Sequence, residues 1–116
     1  PTGLEKIALA RSSQVIQEYE NDPLVHDRMT ASFFINIHQA GIQAIARSKE
    51  LEIPILLMHG AKDRLTSPGG SKEFYANAGS NVNFHLLEGL YHEIHNEPEK
   101  NEVFKTQIQW IEHLLQ

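Results

Sequence analysis

Apolar residues follow a helical period through the first part of the chain. Over residues 4–19 they recur every three to four positions, with a polar interruption at residues 11–14 that predicts a break. A second helix is predicted from about Thr30 to Arg47. Between the two helices, Asn21-Asp22-Pro23 predicts a turn, because the residue before a proline is driven out of the helical conformation.

The second half of the chain alternates between short apolar runs and amphipathic stretches. The runs Ile53–Met58 and Asn83–Leu87 predict strands, the first of the kind buried on both faces. Ser67-Pro68 is a typical helix start, and the helix that follows is predicted to end near Gly79. A closing helix is predicted from about Glu99. This order is typical of a parallel α/β sheet with crossover helices.

Two strands are too few for an independent parallel sheet, because both faces and both edges need cover. Two arrangements would supply the cover. Either the chain is a piece of a larger protein whose further strands lie upstream, or it assembles with copies of itself.

Composition and charge exclude several classes of function. The net charge is −5, and residues 51–116 carry five Lys and Arg against nine Asp and Glu, which argues against nucleic-acid binding. The absence of cysteine excludes disulfides, thiolate metal ligands and Cys nucleophiles. No apolar run approaches the ~20 residues that cross a bilayer, so we expect no transmembrane segment. The cellular location stays open, with the cytoplasm favoured.

Two chemically active side chains follow the two predicted strands. Asp63 comes after the first strand, and His92 comes after the second. Because the carboxyl ends of neighbouring parallel strands meet at one sheet edge, we expect the two side chains to lie close together. A carboxylate that accepts from a histidine Nδ1–H fixes the tautomer and stabilises the imidazolium, which is the orienting half of a catalytic triad.

The segments around these residues resemble the α/β-hydrolase family, in particular its monoacylglycerol lipase and lysophospholipase branch. The segment Ile53–Leu65 is similar to the family's acid-bearing segment. The segment Leu87–Glu97 is similar to its histidine loop. Gly89, His92 and Glu97 stand in the family's Gly-x-x-His-x-x-x-x-Glu arrangement.

The resemblance implies an α/β fold, the C-terminal portion of an α/β hydrolase. Residues 1–50 would be part of the helical cap, since Tyr19–Asp27 is similar to a stretch inside it. Residues 51–116 would be the C-terminal part of the core, with the last two strands of a mostly parallel sheet and their helices.

The resemblance also implies an activity and a set of site residues. Asp63 would be the triad acid and His92 the triad base, without a metal or organic cofactor. Phe33, Phe34 and Ile37 on the cap helix are candidates for contacts with an acyl chain. The implied activity is a carboxylic-ester hydrolase whose substrate is a small lipid-like ester, of the monoacylglycerol or lysophospholipid kind.

The family's nucleophile motif, Gly-x-Ser-x-Gly, does not occur in the chain. We therefore expect the serine in an N-terminal half of the same protein, upstream of this chain, and expect the chain alone to be inactive. The alternative is a catalytically inactive stand-alone fragment that self-associates through its exposed sheet edge.

A metal site in the histidine loop is not expected. The histidines of His92-Glu93-Ile94-His95 are three residues apart, whereas the zincin helix motif spaces its histidines four apart. His59 is predicted at the end of the first strand near Asp63, and a supporting role for it stays open.

Overall fold

A computed structural model describes residues 2–116; Pro1, the first residue of the predicted cap region, lies outside the described residues. Two short strands and four α-helices follow one another along this part of the chain. They are α1 (Ser13–Asn21), α2 (Ala31–Ala46), β1 (Ile55–Gly60), α3 (Pro68–Asn77), β2 (Val82–Leu87) and α4 (Lys100–Leu114), with single 3-10 turns at Lys6–Ala8, Ser48–Glu50 and Ile94–Asn96. The predicted order of helices and strands is confirmed.

Three of the helices begin at a side-chain cap that the sequence supplies. The hydroxyl of Ser12 accepts a hydrogen bond from Val15 N, that of Thr30 from Phe33 N, and that of Ser67 from Gly69 N. Such caps satisfy N–H groups that have no partner inside the helix. The cap at Ser12 explains the predicted break, since α1 starts there and the earlier residues form only a 3-10 turn.

The two strands pair in parallel, with Ile55 opposite Val82 and Gly60 opposite Leu87. Helix α3 is the crossover between them, as predicted. Strand β1 begins two residues after the start of the apolar run. The first ladder bond is donated by Ile55 N to Asn81 O, at 2.9 Å, because Pro54 has no N–H to donate.

The prediction that the first strand is buried on both faces is wrong for the described residues. The side chains of β1 are half-buried, and within this strand only Gly60 is fully buried. The reason is that the described sheet has two strands, so the flanking helices cover only part of each face.

The apolar core is small and includes residues of the loop between β2 and α4. Leu90, Ile94 and Val103 form its centre, with Met58 and Leu87 packed against them. Helix α4 contributes to this cluster through Val103. Trp110 on the same helix is half-buried, and Phe104, Ile108, Ile111 and Leu114 remain exposed. Leu90 and Ile94 belong to the loop that carries His92, so that loop is held by apolar packing on both sides of the histidine.

Helix α2 presents apolar side chains to solvent on several sides. Five of its large apolar residues are more than half exposed: Phe33, Phe34, Ile35, Ile37 and Ile42. Despite this apolar character, no helix in the described part of the chain is both long and apolar enough to cross a bilayer.

Candidate acid–histidine site

The side chains of Asp63 and His92 meet at the carboxyl edge of the two-stranded sheet. Asp63 lies in the loop after β1 and His92 in the loop after β2. Oδ2 of Asp63 is 2.8 Å from Nδ1 of His92. Since an ionised carboxylate only accepts, Nδ1 of His92 carries the proton of this bond. The expected proximity of the two residues is confirmed.

The carboxylate of Asp63 accepts hydrogen bonds from several directions and is 2% exposed. Its Oδ1 accepts from Leu65 N at 2.8 Å and from Thr66 N at 3.0 Å. Its Oδ2 accepts from the Thr66 hydroxyl at 2.7 Å and from His59 Nε2 at 3.0 Å, besides His92. These bonds fix the carboxylate in one orientation.

The same contacts decide the ionisation of Asp63. Burial alone would raise its pKa, but the hydrogen bonds from Thr66, His92 and Leu65 outweigh burial and lower the pKa from 3.8 to about 2. Asp63 is therefore a carboxylate throughout the neutral range. A negative charge in this place stabilises a proton on His92 during a reaction.

His92 presents its second ring nitrogen away from Asp63. Its side chain is 36% exposed, and the bonds it makes to residues 2–116 involve Nδ1. A shallow cavity adjoins the pair, and its walls include Met58, Thr66 and Ile94. The ring is thus held at one nitrogen, while Nε2 remains available for proton transfer.

The loop that carries His92 is tied down at its base by Glu97, whose side chain is fully buried. Oε1 of Glu97 accepts from Tyr91 N at 2.8 Å, and Oε2 accepts from Arg11 Nε at 2.8 Å. The bond to Glu97 raises the pKa of Arg11, which also pairs with Glu99 at the surface.

The histidine loop also has a backbone contact with the segment before α1: Glu93 N donates to Leu9 O at 2.8 Å. The segment around residues 9–11 thus fastens the histidine loop from outside the sheet.

Three contacts in and around the site were not predicted from the sequence. Arg11 lies 86 residues before Glu97 and has no local signal that links it to the loop. The hydroxyl oxygen of Ser71 on α3 lies 2.7 Å from Nδ1 of His59, whose other ring nitrogen contacts Asp63. Thr66 was missed as well, although an Asp in a turn commonly accepts from backbone N–H groups two or three residues later, as Asp63 does here.

The three candidate acyl-chain residues do not line the cavity beside Asp63 and His92. Phe33, Phe34 and Ile37 are 56%, 59% and 56% exposed on α2, and Phe34 stacks on His38. Their proposed contacts with a substrate therefore stay untested.

The second histidine of the loop faces α4 instead of His92. His95 Nε2 lies 2.7 Å from the amide nitrogen of Gln107, and the ring packs against Phe104. Over residues 2–116, no three His, Asp or Glu side chains are grouped as a metal site.

Known proteins resemble the chain in both sequence and structure. The family profile described as serine aminopeptidase, S33, matches residues 1–99. A monoacylglycerol lipase from Mycolicibacterium smegmatis is 34% identical over 110 residues, which cover 93% of this chain and 39% of that protein. A putative monoglyceride lipase from Schizosaccharomyces pombe is 33% identical, over 89% of this chain and 28% of its own length.

A solved structure has nearly the same backbone. The crystal structure of Paleococcus ferrophilus monoacylglycerol lipase superposes with a TM-score of 0.90 at 28% identity, over 94% of this chain and 43% of that one. The chain thus spans less than half the length of each of these proteins.

Proposed function

The chain belongs to the serine aminopeptidase S33 family and forms part of an α/β-hydrolase fold, and from this premise we propose that it supplies the acid and the base of a Ser-His-Asp triad. Asp63 is the acid and His92 is the base. The observation that carries the proposal is the 2.8 Å bond between Asp63 Oδ2 and His92 Nδ1, at the ends of neighbouring parallel strands.

The chemistry follows from the two nitrogens of His92. Nε2 takes the proton from a serine hydroxyl as the oxygen attacks an ester carbonyl, and Asp63 stabilises the imidazolium that forms. His92 then returns the proton to the departing alkoxide, which leaves an acyl-serine. In the second half of the cycle His92 takes a proton from water as the water oxygen attacks the acyl carbon. His92 then returns that proton to the serine oxygen as the acyl–serine bond breaks and the carboxylic acid leaves.

The nucleophile comes from a part of the protein outside this chain. None of the 116 residues lies in a Gly-x-Ser-x-Gly motif. The similar Mycolicibacterium protein is about two and a half times as long as the matched region, which leaves ample room for the missing strands. In this arrangement residues 1–50 belong to the cap and residues 51–116 to the core. The chain alone then turns over no substrate.

The substrate is a monoacylglycerol- or lysophospholipid-like ester. The similar proteins are named as monoacylglycerol and monoglyceride lipases, which favours an ester over a peptide. The exposed apolar side chains of Phe33, Phe34 and Ile37 on α2 suit an acyl chain.

Hydrolysis assays on the full-length protein and on this chain alone test the proposal. The substrates are a monoacylglycerol, a short p-nitrophenyl ester and an amino-acid p-nitroanilide, which separates an esterase from an aminopeptidase. We expect ester hydrolysis in the full-length protein only, and a loss of about 10³-fold or more in kcat on His92→Ala. His95→Ala, in the same loop, is the matched control and should retain activity.

Four outcomes would each contradict the proposal in whole or in part. A full-length His92→Ala variant as active as the unmodified protein would remove His92 from the mechanism. Ester hydrolysis by this chain alone would place the nucleophile within it. A preference for the p-nitroanilide would keep the triad and overturn the substrate class. If no protein longer than this chain is expressed, and the chain is inactive and sediments as a dimer, the self-associating fragment is favoured instead.

A further inference from the structure

A second histidine, His59, contacts the carboxylate that binds His92. It is the fifth residue of β1, and its side chain is 13% exposed. Its Nε2 lies 3.0 Å from Asp63 Oδ2, and its Nδ1 lies 2.7 Å from the hydroxyl oxygen of Ser71. The proposed triad leaves both His59 and Ser71 without a role.

The two bonds assign the proton positions of a neutral His59 ring. Asp63 is ionised and only accepts, so Nε2 of His59 carries a hydrogen and donates it. Nδ1 of the neutral ring then has a lone pair, and it accepts from the Ser71 hydroxyl. Ser71 lies in the first turns of α3, so its position is set by a helix that packs on the sheet.

We infer that His59 is a positioning residue for Asp63 and that Ser71 fixes the His59 tautomer, so that the contacts Ser71–His59–Asp63–His92 act as one unit. The inference rests on the proposed function, because it supposes that Asp63 acts through His92. It adds two residues that do not themselves touch substrate.

The donors to Asp63 lie on different elements of the fold. Leu65 and Thr66 belong to the same loop as Asp63, so their bonds move with the loop. His92 is the group that the carboxylate has to orient. His59 is the donor that comes from a strand, and it therefore fixes Oδ2 relative to the sheet.

Removal of His59 should affect the chemical step more than substrate binding. In the full-length protein we expect His59→Leu to lower kcat about 10-fold, the value of one hydrogen bond to a charged group, with KM changed less than about two-fold. His59→Gln places an amide N–H near the position of Nε2, and it should recover most of the loss. His85→Leu, on the exposed side of β2, is the control and should leave kcat unchanged.

Ser71 should act only through His59. We expect Ser71→Ala to lower kcat about three-fold in the unmodified background and to have no effect in the His59→Leu background, a coupling that a double-mutant cycle measures. Nitrogen NMR of the histidine rings should show the Nε2–H tautomer for His59. The low-field proton of the His92–Asp63 bond should shift in His59→Leu and stay unchanged in His85→Leu.

The outcomes separate this inference from the proposed function. A folded His59→Leu variant with unchanged kcat, a His59→Gln variant no better than His59→Leu, or an Nδ1–H tautomer would overturn the positioning role. If His59→Leu fails to fold, the kcat values of His59→Gln and Ser71→Ala and the tautomer of His59 still test the positioning role. His92→Ala is measured in parallel: if it is inactive while His59→Leu is fully active, the triad stands and only the role of His59 is wrong.

Discussion

The α-carbon of Gly60 lies so close to the histidine loop that an added β-carbon would stand 2.6 Å from the carbonyl oxygen of Leu90, and nearer still to that of Tyr91. Both obstacles are backbone atoms, which cannot rotate away. Next to this close approach, two backbone hydrogen bonds join the segments after β1 and β2. Ala61 N donates to Leu87 O and Lys62 N donates to Leu90 O, each at 2.9 Å. The loops of Asp63 and His92 are therefore joined through main chain as well as through their side chains.

Gly60→Ala is expected to push these two loops apart. Overpacking of this kind costs about 1–3 kcal/mol, and the displaced His92 should lower kcat of the full-length protein by at least about 10-fold. Urea unfolding and ester hydrolysis measure the two effects. Gly70→Ala is the matched control, because a β-carbon there meets only Ile45 Cδ1 at 3.9 Å. Equal effects of the two substitutions would show that the approach of Gly60 to the loop is unimportant.

Removal of Arg11 should destabilise the protein, because it leaves the fully buried carboxylate of Glu97 without its charged partner. Arg11→Met leaves Glu97 buried without its charged partner, which costs about 3 kcal/mol in the free energy of unfolding. Glu99→Gln removes the exposed partner of the same arginine and should cost less than about 1 kcal/mol. Denaturant unfolding of the full-length variants compares them. A similar small loss in both would mean that the buried pair contributes no more than a surface one.

Asp63 should make stability depend on pH in the acidic range. Burial opposes ionisation, but the hydrogen bonds dominate and the pKa falls from 3.8 to about 2. A lowered pKa stabilises the folded protein above the unfolded value, and the contribution of about 2 kcal/mol is lost as pH falls from about 4 to about 2. The gap in unfolding free energy between the unmodified protein and Asp63→Asn should therefore narrow below pH 4. A gap independent of pH down to pH 2.5 would contradict the lowered pKa.

The exposed aromatic residues of α2 should matter for long acyl chains. We expect Phe34→Ala in the full-length protein to raise KM for a long-chain monoacylglycerol about 10-fold and to leave a short p-nitrophenyl ester unaffected, since the lost contact is apolar area. Ile42→Ala is the control, because Ile42 is 56% exposed on the same helix but is not a candidate contact residue. If KM changes equally for the long and the short ester, and equally in Phe34→Ala and Ile42→Ala, then Phe34 does not bind the acyl chain.

Local patterns were enough to predict the elements and the meeting of the pair. The apolar period after Thr30, the cap at Ser67 and the apolar run before Gly60 depend on short stretches of sequence. The structure confirms the helices and the parallel strands that they predict. The proximity of Asp63 and His92 followed because parallel pairing brings consecutive strand ends to one edge. The division at residue 50 and the catalytic roles stay predictions.

The sequence by itself determined the order of helices and strands, the pairing of acid with histidine and the family resemblance, because each depends on short-range periodicity or on a compact motif. The tertiary structure alone decided how the pair is held. Arg11 reaches Glu97 across 86 residues, Ser71 reaches His59 from another element, and Gly60 meets the carbonyls of the histidine loop. Such contacts depend on how separate elements pack, and no spacing along the chain encodes the distance between them.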